Sequence, residues 1–206
     1  MSQNEIEFFY HAQCPVSNLD TATLRHHFNF STHYMPTKFG RSTLRRADYI
    51  TLNTSYEFCA PRAFVMVLYP YADVKLTLNN TEYPLKSQQS TLFLIPEGTQ
   101  IHVSSTPAKA DFVLFEYDML VDPLTFVDHM VYDCYSEADK TRIDTLTIQS
   151  EYITDPNHKP FFAYILEGSL KVNDTKLAMH DAFYYQKPIT LIGNAKILTF
   201  SMPIPL

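Results

Sequence analysis

Eight histidines, three cysteines and 22 acidic residues are the side chains with which this chain could do metal or proton chemistry. The densest group is His26, His27 and His33, set among Phe28, Phe30, Tyr34 and Phe39, while His102 stands alone shortly after Gly98. Imidazoles brought together, best with a carboxylate among them, are the side chains with which a protein holds a divalent transition-metal ion. The His26, His27 and His33 group has no carboxylate at ligand spacing, so ring packing and hydrogen bonding in an aromatic loop is the expectation. A site drawn from His27, His33 and His102 is the alternative. No histidine occurs between His33 and His102. Cys14, Cys59 and Cys134 are odd in number, widely spaced and free of a CxxC pair, which argues against a disulfide framework and a structural zinc. Cys59 is expected to be a buried, inert thiol.

The elements that must position these groups are strands. Leu76-Thr-Leu-Asn-Asn-Thr81, followed by Leu85 and an apolar run, recurs as Leu170-Lys-Val-Asn-Asp-Thr175, followed by Leu177 and another. Each copy joins an alternating strand to an Asn-Asn or Asn-Asp pair, turn chemistry that tolerates positive φ. The return strands are expected at Thr91–Ile95 and Ala182–Tyr185. Alternation predicts further strands at 49–52, 63–69, 74–78, 101–104, 112–117, 145–149, 161–166, 170–172, 189–192 and 197–201. Residues 1–20 give no clear element. The stretch 24–44 lacks a period, and Lys38, Arg41, Arg45 and Arg46, followed by Asp48, read as a solvated loop. Residues 121–144 are acidic and lose alternation, as a connector with one helical turn would.

At 206 residues and 46% hydrophobic, the chain has the material for a sizeable core. Its 29 Phe and Tyr, four glycines and 13 prolines suit short aromatic-rich strands with Asn, Asp, Ser and Pro turns. A net charge of −6 argues against direct nucleic-acid binding, which depends on neutralising phosphates. The segment from Met1 to Glu7 lacks the basic and apolar regions of a signal peptide and no apolar run is long enough to span a membrane, so the expectation is a cytoplasmic protein.

The segment His27-Phe-Asn-Phe-Ser31, then Tyr34-Met-Pro36, Gly40 and Leu44-Arg45, resembles the N-terminal signature of pirins and their quercetinase-like bacterial relatives. Ala163-Tyr-Ile-Leu-Glu-Gly168, Leu170-Lys-Val-Asn173, Leu177 and Asp181 resemble the second cupin of that family, with Asn173-Asp174 in place of Asn-Gly and His180-Asp181 in place of Gly-Asp. The resemblance implies an all-β bicupin: two antiparallel β sandwiches folded as jelly-roll barrels. It also implies a divalent metal, commonly iron, in the N-terminal cupin, held by an HxH pair, a third His and a Glu. Counting from the family hairpin places the HxH pair at Phe58 and Ala60, the next ligand slots at Val103 and Ser105, and the Glu slot at Phe64. A two-residue slide substitutes Ala60, Arg62 and Met66. None of these residues is a ligand of the implied kind. His102 is offset from the ligand positions, Ile101 or Val103, by one residue, which in a strand turns it to the opposite face unless a bulge intervenes. His158 and His180 fall in the second cupin, whose ligand positions are normally empty in the family.

The reading that follows is a pirin-like bicupin with an N-terminal cupin at 1–118, a connector at 119–144 and a C-terminal cupin at 145–206. Without the metal ligands it is expected to need no cofactor and to bind a small apolar ligand or a protein partner at Phe58, Ala60, Arg62, Phe64, Met66, Val103 and Ser105. The alternative is a metal-dependent dioxygenase of the quercetinase type, using iron or another divalent ion on His26, His27, His33 and His102 with Glu57 or Glu116. A third reading, isomerase or lyase work, would fall first to Arg62 and Tyr69. The sequence does not set the oligomeric state.

Overall fold

In the computed structural model, which describes residues 6–29, 44–105, 109–117, 134–136, 141–154, 161–185 and 188–201, the alternating segments form seventeen strands and one 3₁₀ turn at His11–Gln13. The first eleven strands are β1 (Ile6–Phe9), β2 (Val16–Asn18), β3 (Ala22–Asn29), β4 (Leu44–Leu52), β5 (Ser55–Cys59), β6 (Phe64–Pro70), β7 (Val74–Leu78), β8 (Thr81–Leu85), β9 (Thr91–Ile95), β10 (Gln100–Ser105) and β11 (Ala110–Tyr117). The remaining six are β12 (Cys134–Ser136), β13 (Thr141–Ile153), β14 (Phe161–Val172), β15 (Thr175–Ala178), β16 (Ala182–Tyr185) and β17 (Thr190–Ser201). Among the described residues no helix is long and apolar enough to cross a membrane.

The chain divides into two compact units, one made of Pro15–Tyr132 and the other of Met1–Cys14 with Asp133–Leu206. In the first unit a six-stranded sheet, ordered β2-β3-β4-β11-β6-β9, and a four-stranded sheet, ordered β5-β10-β7-β8, contribute to one core. Leu24, Ile50, Leu52, Phe64, Met66 and Phe112 of the larger sheet join Tyr56, Leu76, Ile101 and Val103 of the smaller in that core. Burying each large apolar side chain stabilises the fold by about 1.5–3 kcal/mol, so this shared interior dominates the energetics. In the second unit a single seven-stranded sheet runs β1-β16-β14-β17-β13-β12, with β15 pairing off β14. Its core gathers Ile148, Ile165, Val172, Leu177, Phe183 and Leu191. Every pairing in these sheets is antiparallel, and each strand order is open, so the expected jelly-roll barrels take the form of open sheets.

The two turns that repeat in the sequence are built alike: Asn79 and Asn173 both have φ of 52°, in the left-handed region that Asn tolerates. The strand returning from each turn is a short one, β8 or β15, rather than the expected 91–95 and 182–185. Strand β9 instead pairs with β6 in the other sheet of its unit, and β16 pairs with the first half of β14. The strands predicted at 161–166 and 170–172 are one continuous β14, with a register shift between Ile165 and Glu167 against β17. Gly168 lies just past that shift at φ +78°, where a Cβ would stand 2.1 Å from the Asn194 carbonyl oxygen of β17. Only glycine allows the two backbones to approach so closely.

Three further segments differ from the sequence reading. The aromatic stretch taken as a loop begins as β3, in which a register shift between His26 and Phe28 makes His27 the extra residue of a bulge. Strand β4 starts at Leu44, so Arg45, Arg46 and Asp48 belong to a strand and not to a solvated loop; Lys38 and Arg41 lie outside the described residues. Strand β1 pairs with β16 throughout its length, from Ile6 with Tyr185 to Phe9 with Ala182, which the mixed composition of residues 1–20 does not announce. Within 121–144, β12 and the start of β13 are described; the expected helical turn falls outside the described residues.

Candidate functional site

Strand β4 reads Leu-Arg-Arg-Ala-Asp-Tyr-Ile-Thr-Leu, and its even-numbered positions end in Ile50 and Leu52 of the core. Period-two geometry therefore turns Arg46 and Asp48 to the same interior face. Their side chains are 8% and 0% exposed. Opposite charges inside an apolar sandwich persist only when every charged atom has a partner. The neighbours of β4 supply those partners. Register places His26 of β3 opposite Asp48 on one side and Glu116 of β11 opposite Arg46 on the other. Tyr56 reaches in from β5 of the smaller sheet.

The hydrogen bonds form one connected cluster. Arg46 donates from Nε to Asp48 Oδ2, from Nη1 to Glu116 Oε1 at 2.8 Å and from Nη2 to the Tyr56 hydroxyl at 2.7 Å. The guanidinium also lies 5.5 Å from the Tyr56 ring centroid and 5.4 Å from that of Phe58, within cation–π range. The other Asp48 oxygen, Oδ1, lies 2.8 Å from His26 Nδ1, and His26 Nε2 lies 2.8 Å from the hydroxyl of Ser17 on β2. Burial opposes the charge on Arg46, but Asp48, Tyr56 and Glu116 outweigh it and hold the guanidinium protonated above its ordinary range. Burial pushes the Tyr56 phenol up, against the lowering influence of Arg46. The site is thus a fixed interior cation with a proton-carrying chain leading from Asp48 toward Ser17, which is partly exposed.

The residues expected to line a ligand pocket are divided by the structure. Ala60, Phe64, Met66 and Val103 are buried in the first unit's core, with the partly buried Phe58 packed against it. Ser105 is partly exposed at the end of β10, and Arg62 is exposed between β5 and β6, away from that interior. Tyr69 is buried and meets Tyr71 edge-on at 5.2 Å. Cys59 is exposed, correcting the expectation of a buried thiol: Tyr56, Phe58 and Ala60 face inward, which turns Cys59 outward.

The alternative metal set is not assembled among the described residues. Strand β10 runs in unbroken register with β5 and β7, so no bulge turns His102 inward; it lies opposite Glu57, with Nδ1 2.6 Å from Oε1 on an exposed face. His27 is buried at the β3 bulge, and His33 and His158 lie outside the described residues. His180 has φ of 74° and serves the turn into β16, its ring 5.1 Å from that of His11. Asp181 holds the same turn by accepting the His11 and Ala178 N–H groups at 2.8 and 2.9 Å. The metal implied by the resemblance requires imidazoles on β5 and β10, and the inward side chains there are Tyr56, Phe58, Ile101, Val103 and Ser105. The interior carboxylates Asp48 and Glu116 are already paired with a guanidinium, which repels a second cation. Among the described residues no three His, Cys, Asp or Glu side chains form a metal-holding group. Among the described residues, the inward positions of β5 and β10 therefore offer that ion no imidazole.

Arg46, Asp48, Tyr56 and Ser17 were not legible as a site from the sequence. The signal was the even-position series Leu44, Arg46, Asp48, Ile50 and Leu52, which the charged residues disguise.

No protein-family model matches the sequence, and no curated protein matches it. Solved structures do share its fold. The bacterial pirin YhhW of Escherichia coli in complex with nickel(II) superposes with a TM-score of 0.77 at 10% identity, covering 97% of this chain and 100% of that one. Ylba of E. coli, of the family DUF861, gives 0.72 at 10% identity over 100% of this chain and 94% of that one. Quercetin 2,3-dioxygenase of Acinetobacter baumannii gives 0.67 at 12% identity over 96% and 85%. The chain has the fold of pirin-like and quercetinase-type cupins; at these identities the likeness extends to fold alone.

Proposed function

We propose that this chain is a pirin-like bicupin that acts as a binding protein rather than as a metal-dependent dioxygenase. Its two units are read as two cupins, and its first unit as the one that meets a small apolar ligand or a protein partner. One observation carries this reading: the inward positions of β5 and β10 hold Phe58, Ile101 and Val103, and the cation in that interior is Arg46, already held by Asp48 and Glu116. A ligand would meet Phe58, Ser105 and the partly exposed edge of Glu116, where the cluster approaches solvent. The net charge of −6 supports a role without nucleic acid.

The test is elemental analysis of untagged protein expressed with iron, manganese, nickel and zinc and purified without chelator, paired with oxygen uptake on addition of quercetin. Metal far below one ion per chain with no oxygen uptake is the expected result. A stoichiometric ion with uptake would overturn the proposal and make His27, His33 and His102 the residues to substitute.

A further inference from the structure

Ser17, His26 and Asp48 form a hydrogen-bonded line in which each member has the role its chemistry suits. Asp48 is fully buried, and its Oδ2 is fixed by Arg46, so the carboxylate is held in place with Oδ1 directed at His26 Nδ1, 2.8 Å away. A carboxylate only accepts, so Nδ1 carries the ring proton and, in the neutral imidazole, Nε2 presents its lone pair. The hydroxyl 2.8 Å from Nε2 then donates to it, which leaves the lone pairs of Ser17 Oγ facing away from the ring. His26 is 4% exposed while Ser17 is partly exposed, so the base is screened from water and the hydroxyl is reachable. This is the order of nucleophile, base and orienting acid that is recognised by geometry rather than by position in a sequence.

We propose that Ser17 is a nucleophile that takes the acyl group of an activated carboxylic ester, with His26 as its base and Asp48 as the residue that orients the ring. In the step, Ser17 Oγ bonds to the ester carbonyl carbon as its proton passes to His26 Nε2. The bond from that carbon to the leaving oxygen then breaks, and His26 returns the proton to the departing alcohol. An acyl-serine remains, and water can release it by the reverse sequence. The inference goes beyond the binding role and does not depend on it.

The experiment exposes the intact chain to an alkyl fluorophosphonate, which reports the same attack: an O–P bond forms on Ser17, fluoride leaves, and the serine proton goes to His26. Adducts are located by peptide mass spectrometry. Ser17 is expected to label about a hundredfold faster than Ser55, a partly exposed serine of the same unit that serves as a control within the unaltered protein. His26→Gln, which keeps hydrogen-bonding capacity but no base, should remove that advantage. Asp48→Asn should do the same, because an amide donating to Nδ1 reverses the ring's tautomer. Thr51→Val removes the 2.6 Å hydrogen bond to Asp111 and so loosens the same pair of strands, β4 and β11, while leaving the line from Asp48 to Ser17 intact; it should retain the labelling, separating orientation from general loosening. Labelling of Ser17 no faster than that of Ser55, or unchanged in His26→Gln, would overturn the proposal.

Discussion

The interior of the Pro15–Tyr132 unit contains Arg46, Asp48, His26 and Tyr56 in one hydrogen-bonded cluster, with Glu116 at its edge. The core of the other unit gathers Ile148, Ile165, Val172, Phe183, Tyr185 and Leu191, and its ion pair of Lys196 with Glu167 lies toward solvent, with side chains 28% and 41% exposed. Both units have the same Asn turn at the same φ and the same alternating strands. Among the described residues the second unit's core cluster is built of apolar and aromatic side chains, whereas the first unit sets a guanidinium and a fully buried carboxylate in its interior. Buried ion pairs are weak contributors to stability but costly to break, because an unpaired charge is left in a poor solvent.

The largest expected effect breaks the comparison directly. Arg46→Met strands Asp48 and Glu116 and should lower the unfolding free energy by about 3–5 kcal/mol in urea titration. The triple substitution Arg46→Met, Asp48→Leu and Glu116→Leu removes the three charges together, leaving His26 and Tyr56 as the polar members of that cluster, and should recover most of that loss. If the triple variant is no more stable than the single one, the cluster is a structural necessity and the contrast between the units loses its meaning.

Next in size, Gly168→Ala places a methyl against the Asn194 carbonyl at a positive φ and should cost about 2–3 kcal/mol. Gly98→Ala, also at positive φ but with open space around it, should cost about 1 kcal/mol. The difference between them measures how closely β14 and β17 must approach in the second unit, a constraint of backbone and not of charge.

Alkaline titration probes both interiors at once. Burial raises the phenol of Tyr56 in the first unit and of Tyr185 in the second above the ordinary value of 10.0. A group whose folded value exceeds its unfolded one contributes stability that is complete below the unfolded value and declines as pH rises toward the folded one. Urea midpoints should therefore hold steady to about pH 9 and fall above about pH 10. Tyr56→Phe and Tyr185→Phe should each remove part of that fall, and Tyr49, whose phenol burial also raises, should account for a further part in the first unit. The smallest effect is expected from Lys196→Ala, under about 1 kcal/mol, because its ion pair is partly solvated.

Where a strand obeyed period two and ended in recognisable turn residues, the sequence was sufficient. Strands β7 and β9 begin and end at the residues read from alternation, and Asn79 and Asn173 take the positive φ that their turn chemistry implies. The opposite faces of His102 and Val103 followed from the same parity. Strand β3 was hidden because the bulge at His27 interrupts its period, and a bulge is set by pairing with β4 rather than by local composition. Strand β4 was hidden for another reason. Arg45, Arg46 and Asp48 look solvated one residue at a time, and only partners 70 and 22 residues away, Glu116 and His26, show that two of them are inside. The outward turn of Cys59 was within reach of the sequence, since it follows from placing Phe58 and Ala60 inward.

The pairing of β1 with β16 has a consequence for the order in which the chain matures. The contact between the His11 amide and Asp181 spans 170 residues. On a ribosome adding about 5–20 residues per second, β1 waits on the order of ten to thirty seconds for its neighbour to be made. The intervening Pro15–Tyr132 unit, contiguous in sequence, has all its strands before then. High sequence separation slows pairing because the entropy of loop closure is spent before any contact rewards it. Refolding of the second unit should thus follow that of the first, in the test tube as during synthesis.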